Sequence, residues 1–319
     1  MESRDRLTLV APAPFRGMVG GHIPDAIDVR WFASVDEAVA LAPLADMGWF
    51  DMPDPNDIGA AVAAATKMRW LSTIYAGLDM LPTSLLAERG VIVTNGRGLN
   101  SAAVADYAML GVLALAKRYD QVVRLADRQQ WTMNPPGTGE LAGSRALVIG
   151  MGTIGEGIAR RLIASDVLVT GVRRQADGRA GIIGADAWRA RLGEFDWVIL
   201  IAPSTAETRA MFGAAEFAAM KPGAAFINMA RGDMVDQDAL IAGLKAGRPG
   251  AAFLDVAFPE PLPPGHPLWS APNCLLSLHL SGRSQQSMVP NGVRRFIANL
   301  GRYLAGEPLE HVVDPAAGY

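Results

Sequence analysis

Residues 150–155 read Gly150-Met151-Gly152-Thr153-Ile154-Gly155, directly after an apolar run at 146–149 and before a helical stretch at 155–164. Between a strand and a helix, that glycine spacing suits the pyrophosphate of a dinucleotide. The first glycine permits a tight turn, the second lets backbone amides approach the phosphates, and the third lets the helix pack closely on the strand. The alternative is a glycine-rich turn that holds nothing. A site of this kind usually carries an acid for the adenosine ribose about twenty residues on, at the end of the next strand. Here that strand ends Thr170-Gly171-Val172-Arg173-Arg174. Guanidinium groups suit a phosphate and an acid repels one, so Arg173 and Arg174 point to NADP as the preferred cofactor. NAD remains possible if the two arginines are simply solvated.

These groups need a frame. Residues 7–11, 29–32, 47–50, 70–74 and 91–94 read as buried strands. Helices alternate with them at 34–41, 56–68 and 82–89, the first opened by the capping-box spacing of Ser34 and Glu37. An alanine-rich helix follows at 100–118, capped by Asn100 or Ser101, and then a polar Pro/Gly-rich stretch at 131–143. A second series has strands at 146–149, 167–172, 197–201, 225–228, 251–255 and 274–278, and a helix at 287–303 closes it. Strands alternating with helices imply an α/β fold, with parallel sheets covered on both faces.

A length of 319 residues exceeds one comfortable core, so two domains are expected. Half the residues are hydrophobic and 19% are charged, which argues against disorder. The net charge of -3 gives no electrostatic reason to expect nucleic acid or an anionic membrane as partner. Cys274 is the sole cysteine, which rules out an internal disulfide and a cysteine-held metal and suits a reducing cytoplasm. No signal peptide is legible, and the most apolar helical stretch, 107–116, is about half the length that a bilayer crossing needs. A soluble cytoplasmic protein without a metal is expected.

Over nearly its whole length the sequence resembles the D-2-hydroxyacid dehydrogenase family, in its glyoxylate/hydroxypyruvate reductase-like branch. The segments that carry the likeness are ELAGSRALVIGMGTIG, VILIAPSTAETRAMFG, MKPGAAFINMARGDMVDQDAL, FLDVAFPEPLPPGHPLW and LSLHLSG. The resemblance implies two doubly wound parallel-sheet domains. A Rossmann cofactor domain at 99–285 would be inserted into a flavodoxin-like substrate domain, 1–98 plus 286–319, with the active site in the cleft. It further implies hydride transfer between NAD(P)H and a small 2-oxo or 2-hydroxy acid. The catalytic trio falls on Arg231 in Ala-Arg-Gly, Glu260 in Phe-Pro-Glu-Pro and His279 in Leu-His-Leu-Ser-Gly. His279 would give the proton, Glu260 would orient it, and Arg231 would grip the substrate carboxylate.

By the same resemblance, Ala202, Pro203, Ala230 and Asp255 would line the nicotinamide site, and the amides of Ala76 and Gly77 would receive the substrate. Phe50, Asp51 and Met52 would form the opposite wall, with Arg283 a candidate for the substrate's far end. A homodimer is implied, with the helix from Asn100 and the arm to Gly143 at its interface. Leu278 departs from the family, which frequently has proline before the histidine, and Asp106 stands in place of a usual glutamate. Glu260 counts against a formate dehydrogenase. A phosphite-type dehydrogenase and a dinucleotide-sensing corepressor are the alternatives.

Overall fold

The computed structural model describes residues 6–283 and 286–315. The chain divides into two compact units, Met1–Asn100 with Gln285–Tyr319, and Ser101–Ser284. In the first, β1 (Thr8–Pro12), β2 (Asp28–Phe32), β3 (Met47–Trp49), β4 (Trp70–Ser72) and β5 (Ile92–Thr94) pair in parallel, in the order β2-β1-β3-β4-β5. A short strand, Val312–Val313, adds antiparallel to β5. In the second, β6 (Arg145–Ile149), β7 (Leu168–Arg173), β8 (Ile182–Gly184), β9 (Trp197–Leu200), β10 (Ala225–Asn228), β11 (Ala251–Leu254) and β12 (Cys274–Leu276) form one parallel sheet. Its order is β12-β11-β10-β9-β6-β7-β8, so the winding reverses between β6 and β9. Ligands of open α/β sheets bind beyond the carboxyl ends of the strands at such a reversal.

The apolar runs follow from burial on both faces. Along β1, Val10 packs with Phe32, Phe50 and Leu71, while Leu9 and Ala11 face Trp49, Trp70 and Phe296 on the other side. Along β6, Leu147 and Ile149 join Val198, Leu200 and Phe226, and Ala146 and Val148 join Ile199, Ile227 and Phe253.

Several elements differ from the sequence pattern. The helix expected at 56–68 is Ile58–Ala64, because Ala65 turns out of helical geometry and lets Met68 sink into the core. Ser34 caps its helix through Glu37 N (3.2 Å), but the Glu37 carboxylate accepts from Ala33 N (2.7 Å), one residue earlier than a capping box requires. Arg118, with φ +49°, ends the helix Ser101–Lys117, and a second helix, Tyr119–Asp127, starts at once. Among the described residues, no helix is long and apolar enough to cross a membrane.

Candidate active site

β6 runs into Gly150, where φ is +111° and a Cβ would lie 2.5 Å from Ala202 N. At Gly155 a Cβ would meet Gly150 O at 2.1 Å. Both glycines are required by the protein's own packing. Gly152 is not: a Cβ there would meet nothing within 4 Å. The helix begins at Thr153, earlier than the pattern suggested (Thr153–Ile163). Among the described residues the N–H groups of Thr153, Ile154 and Gly155 donate to no protein group. Met151 is buried against β7, where Gly171 makes room for its side chain. Open amides at a helix N-terminus, behind a glycine that the fold does not demand, fit the phosphates of a dinucleotide.

At the end of β7, Arg173 Nη1 donates to Asp177 Oδ2 (2.6 Å), and Arg179 shares that carboxylate while also pairing with Glu156. Hydrogen bonds from Arg179 and Arg173 hold the Asp177 carboxyl well below the usual range. Arg173 thus already has an anionic partner; Arg174 beside it is exposed. Ala202 and Pro203 follow β9, and the Pro203 carbonyl accepts from Thr208 Oγ1 (2.8 Å).

The other three reactive side chains gather beyond β10, β11 and β12. Asn228, buried at the end of β10, accepts from Ala230 N and donates to Arg231 O, both at 2.9 Å, and so shapes the turn that presents Ala230 and Arg231. Arg231 Nη1 donates to Ala230 O (2.8 Å). Glu260 Oε1 accepts from Ala257 N (2.9 Å), and Oε2 lies 2.6 Å from His279 Nδ1. Gln237 braces that loop by exchanging hydrogen bonds with Phe258 N (3.1 Å) and Phe258 O. Burial works to raise the Glu260 pKa. The hydrogen bonds from His279 and Ala257, with the charges of His279 and Arg231, more than offset this and hold it low. An ionised carboxylate only accepts, so the proton sits on Nδ1 and Nε2 is the nitrogen left to face a reactant.

His279 sits on an unusual turn. Leu278 (φ +57°) and His279 (φ +55°) are both left-handed, a region that proline cannot enter, so this turn excludes proline at 278. Asp255 holds the turn at both ends. Its carbonyl accepts from His279 N (2.5 Å), and its carboxylate accepts from Ser277 Oγ (2.7 Å), Ser281 N (3.3 Å) and Ser281 Oγ. Asp255 is buried, with both oxygens engaged by this turn. Sequence reading missed Asn228, Gln237, Ser277 and Ser281. The partners of Gln237, Ser277 and Ser281 lie on other elements, and Asn228 bonds only backbone groups of the turn that follows it, so no motif of reactive side chains marks any of the four.

In the first unit, the loop after β4 carries Ala76 and Gly77. The carbonyls of Tyr75 and Ala76 accept from Gly96 N (2.8 Å) and Asn95 Nδ2 (2.6 Å). The N–H groups of Ala76 and Gly77 donate to no protein group among the described residues. Consecutive amides with their carbonyls tied back form a receptor for an anion.

The family described as D-isomer specific 2-hydroxyacid dehydrogenase, NAD binding domain, matches residues 109–281. Glyoxylate/hydroxypyruvate reductase B of Citrobacter koseri is 34% identical over 257 residues, 78% of this chain and 79% of that one. A D-isomer specific 2-hydroxyacid dehydrogenase family protein of Aeromonas salmonicida superposes with TM-score 0.85 at 27% identity, covering 98% of this chain and all of that one. A D-isomer specific 2-hydroxyacid dehydrogenase of Xanthobacter autotrophicus, solved with NADPH and MES, gives TM-score 0.78 at 27% identity over 98% and 100% of the two chains.

Proposed function

This chain belongs to the D-isomer specific 2-hydroxyacid dehydrogenase family, a family of NAD(P)-dependent oxidoreductases, and from that premise we propose that it reduces a small 2-oxo acid such as glyoxylate or hydroxypyruvate to the corresponding 2-hydroxy acid, the D isomer where that product is chiral. The observation that carries the reading is the 2.6 Å pair of Glu260 and His279, with the Arg231 charge acting on Glu260. A nicotinamide dinucleotide, when bound, supplies the hydride. Gly152 and the amides of Thr153, Ile154 and Gly155 hold its phosphates, and Ala202, Pro203 and Ala230 line the nicotinamide side. His279 Nε2 gives a proton to the oxygen that becomes the hydroxyl, while Glu260 stays ionised and keeps the ring aligned. Arg231 pairs with the substrate carboxylate, and in the first unit, taken by itself, the amides of Ala76 and Gly77 offer hydrogen bonds to an anionic substrate. Asp255 serves the nicotinamide side chiefly by fixing the His279 turn.

NADPH is the preferred cofactor on this reading. A 2′-phosphate at Arg173 and Arg174 would take the place of Asp177, the anion that Arg173 now holds. The enzyme works as a cytoplasmic homodimer. Trp131 and Met133 are 93% and 87% exposed, and Tyr119, Val122 and Val123 of the preceding helix are exposed too, an apolar set that a partner subunit would cover. The test is a set of specificity constants for glyoxylate, hydroxypyruvate, pyruvate and bulkier 2-oxo acids with each reduced cofactor. Turnover of the smaller acids, faster with NADPH, is expected; dinucleotide binding without turnover of any of them would overturn the proposal.

A further inference from the structure

Asp51 is 6% exposed and lies just past the end of β3. Its carboxylate accepts from Trp49 Nε1 and Thr73 Oγ1, each at 2.5 Å, and from Ile74 N at 2.7 Å. It therefore does not face a substrate as a pocket wall; it ties the end of β3 to the root of the loop that carries Ala76 and Gly77. Tyr75 closes the same joint, its hydroxyl donating to Met52 O (2.8 Å) and its N–H to Thr73 Oγ1 (3.1 Å). We propose that Asp51 is the positioning residue of this substrate loop, and that the proton it holds or releases sets how well an anionic substrate binds there. The proposal deepens the function proposed above and rests on it.

The geometry alone does not call for an acid. An asparagine with its oxygen at the Oδ2 position would accept from Trp49 and Ile74, and its amide nitrogen could donate to the Thr73 hydroxyl. What the carboxylate adds is a site for a proton on a group hydrogen-bonded to Ile74 N, and Ile74 stands two residues before Ala76. The groups against it are the neutral Trp49 indole, Thr73 hydroxyl and Ile74 amide, and no charged side chain among the described residues contributes to its titration. Burial raises its pKa to about 6, although the three hydrogen bonds work to lower it. A second anion brought close to an ionised, buried Asp51 is repelled, so substrate binding favours the protonated acid and takes up a proton.

The experiment measures the dissociation constant of oxamate, an unreactive 2-oxo acid analogue, from the NADPH complex across about pH 5 to 8. It uses the His279→Asn protein, so that the proposed proton donor takes no part, with and without Asp51→Asn. The expected result is an oxamate dissociation constant that rises at least about fivefold with pH, and a nearly flat profile once Asp51 is asparagine. The same slope with and without Asp51 overturns the proposal. A wild-type enzyme that neither binds oxamate nor reduces any 2-oxo acid overturns the functional reading itself, and this proposal with it.

Discussion

At the scale of single residues, the protonation of two acids is set by opposite surroundings. Glu260 gains hydrogen bonds from His279 and Ala257 and stays ionised, whereas Asp51 is stripped of water with no cation near it. Glu260→Gln removes the charge that favours the imidazolium, so the rate of reduction should fade at lower pH than in the wild type, with cofactor affinity little changed. An unchanged pH profile would show that the 2.6 Å pair plays no part in proton delivery. For Asp51, the pKa in the folded protein is raised from 3.8 to about 6, so ionisation costs nothing below the lower value and its full amount above the upper. That cost is of the order of 3 kcal/mol. Asp51→Asn should match the wild type in urea unfolding near pH 4 and exceed it by up to about 3 kcal/mol near pH 7. A difference that does not vary with pH contradicts the assignment. Arg231, Glu260 and His279 were legible in the sequence because each sits in a short motif. The burial of Asp51 was not, since Trp49 and Thr73, which enclose it, come from different strands.

At the scale of elements, the three glycines of the phosphate turn separate packing from binding. Gly155→Ala forces a methyl against Gly150 O and should destabilise the fold, whereas Gly152→Ala meets no protein atom. The prediction is a melting temperature near wild type for Gly152→Ala, with NADPH affinity weakened about tenfold or more as the methyl enters the phosphate cradle. Undiminished NADPH binding by Gly152→Ala would mean that the turn serves structure alone. Strand positions were legible because strands buried on both faces are continuously apolar. Helix ends were less even: the end near Arg118 was read within a residue, whereas Ala65 leaves its helix through backbone geometry that its side chain does not announce. The edge strands β8 and Val312–Val313 were not read: β8 is two isoleucines between glycines, only half-buried, and the last strand has two residues, one of them exposed.

At the scale of the molecule, two sheets that each reverse their winding place the glycine turn, Arg231, Glu260 and His279 beyond strand ends of one unit, and Ala76 and Gly77 beyond a strand end of the other. The helix Tyr119–Asp127 was not read from the sequence: it is only nine residues long, none of them is buried, and it follows the preceding helix with Arg118 alone between them. Replacing Trp131 and Met133 together by Asp should shift sedimentation from dimer toward monomer, by putting charge into a surface that a dimer would bury. A wild-type protein that sediments as a monomer would refute that interface. The central claim is that His279 delivers the proton in a dinucleotide-dependent reduction, and the most direct test compares His279→Asn with the wild type in both turnover and NADPH binding. Turnover of the preferred 2-oxo acid should fall about a hundredfold or more, with NADPH binding essentially unchanged. Wild-type turnover in the folded variant would contradict it.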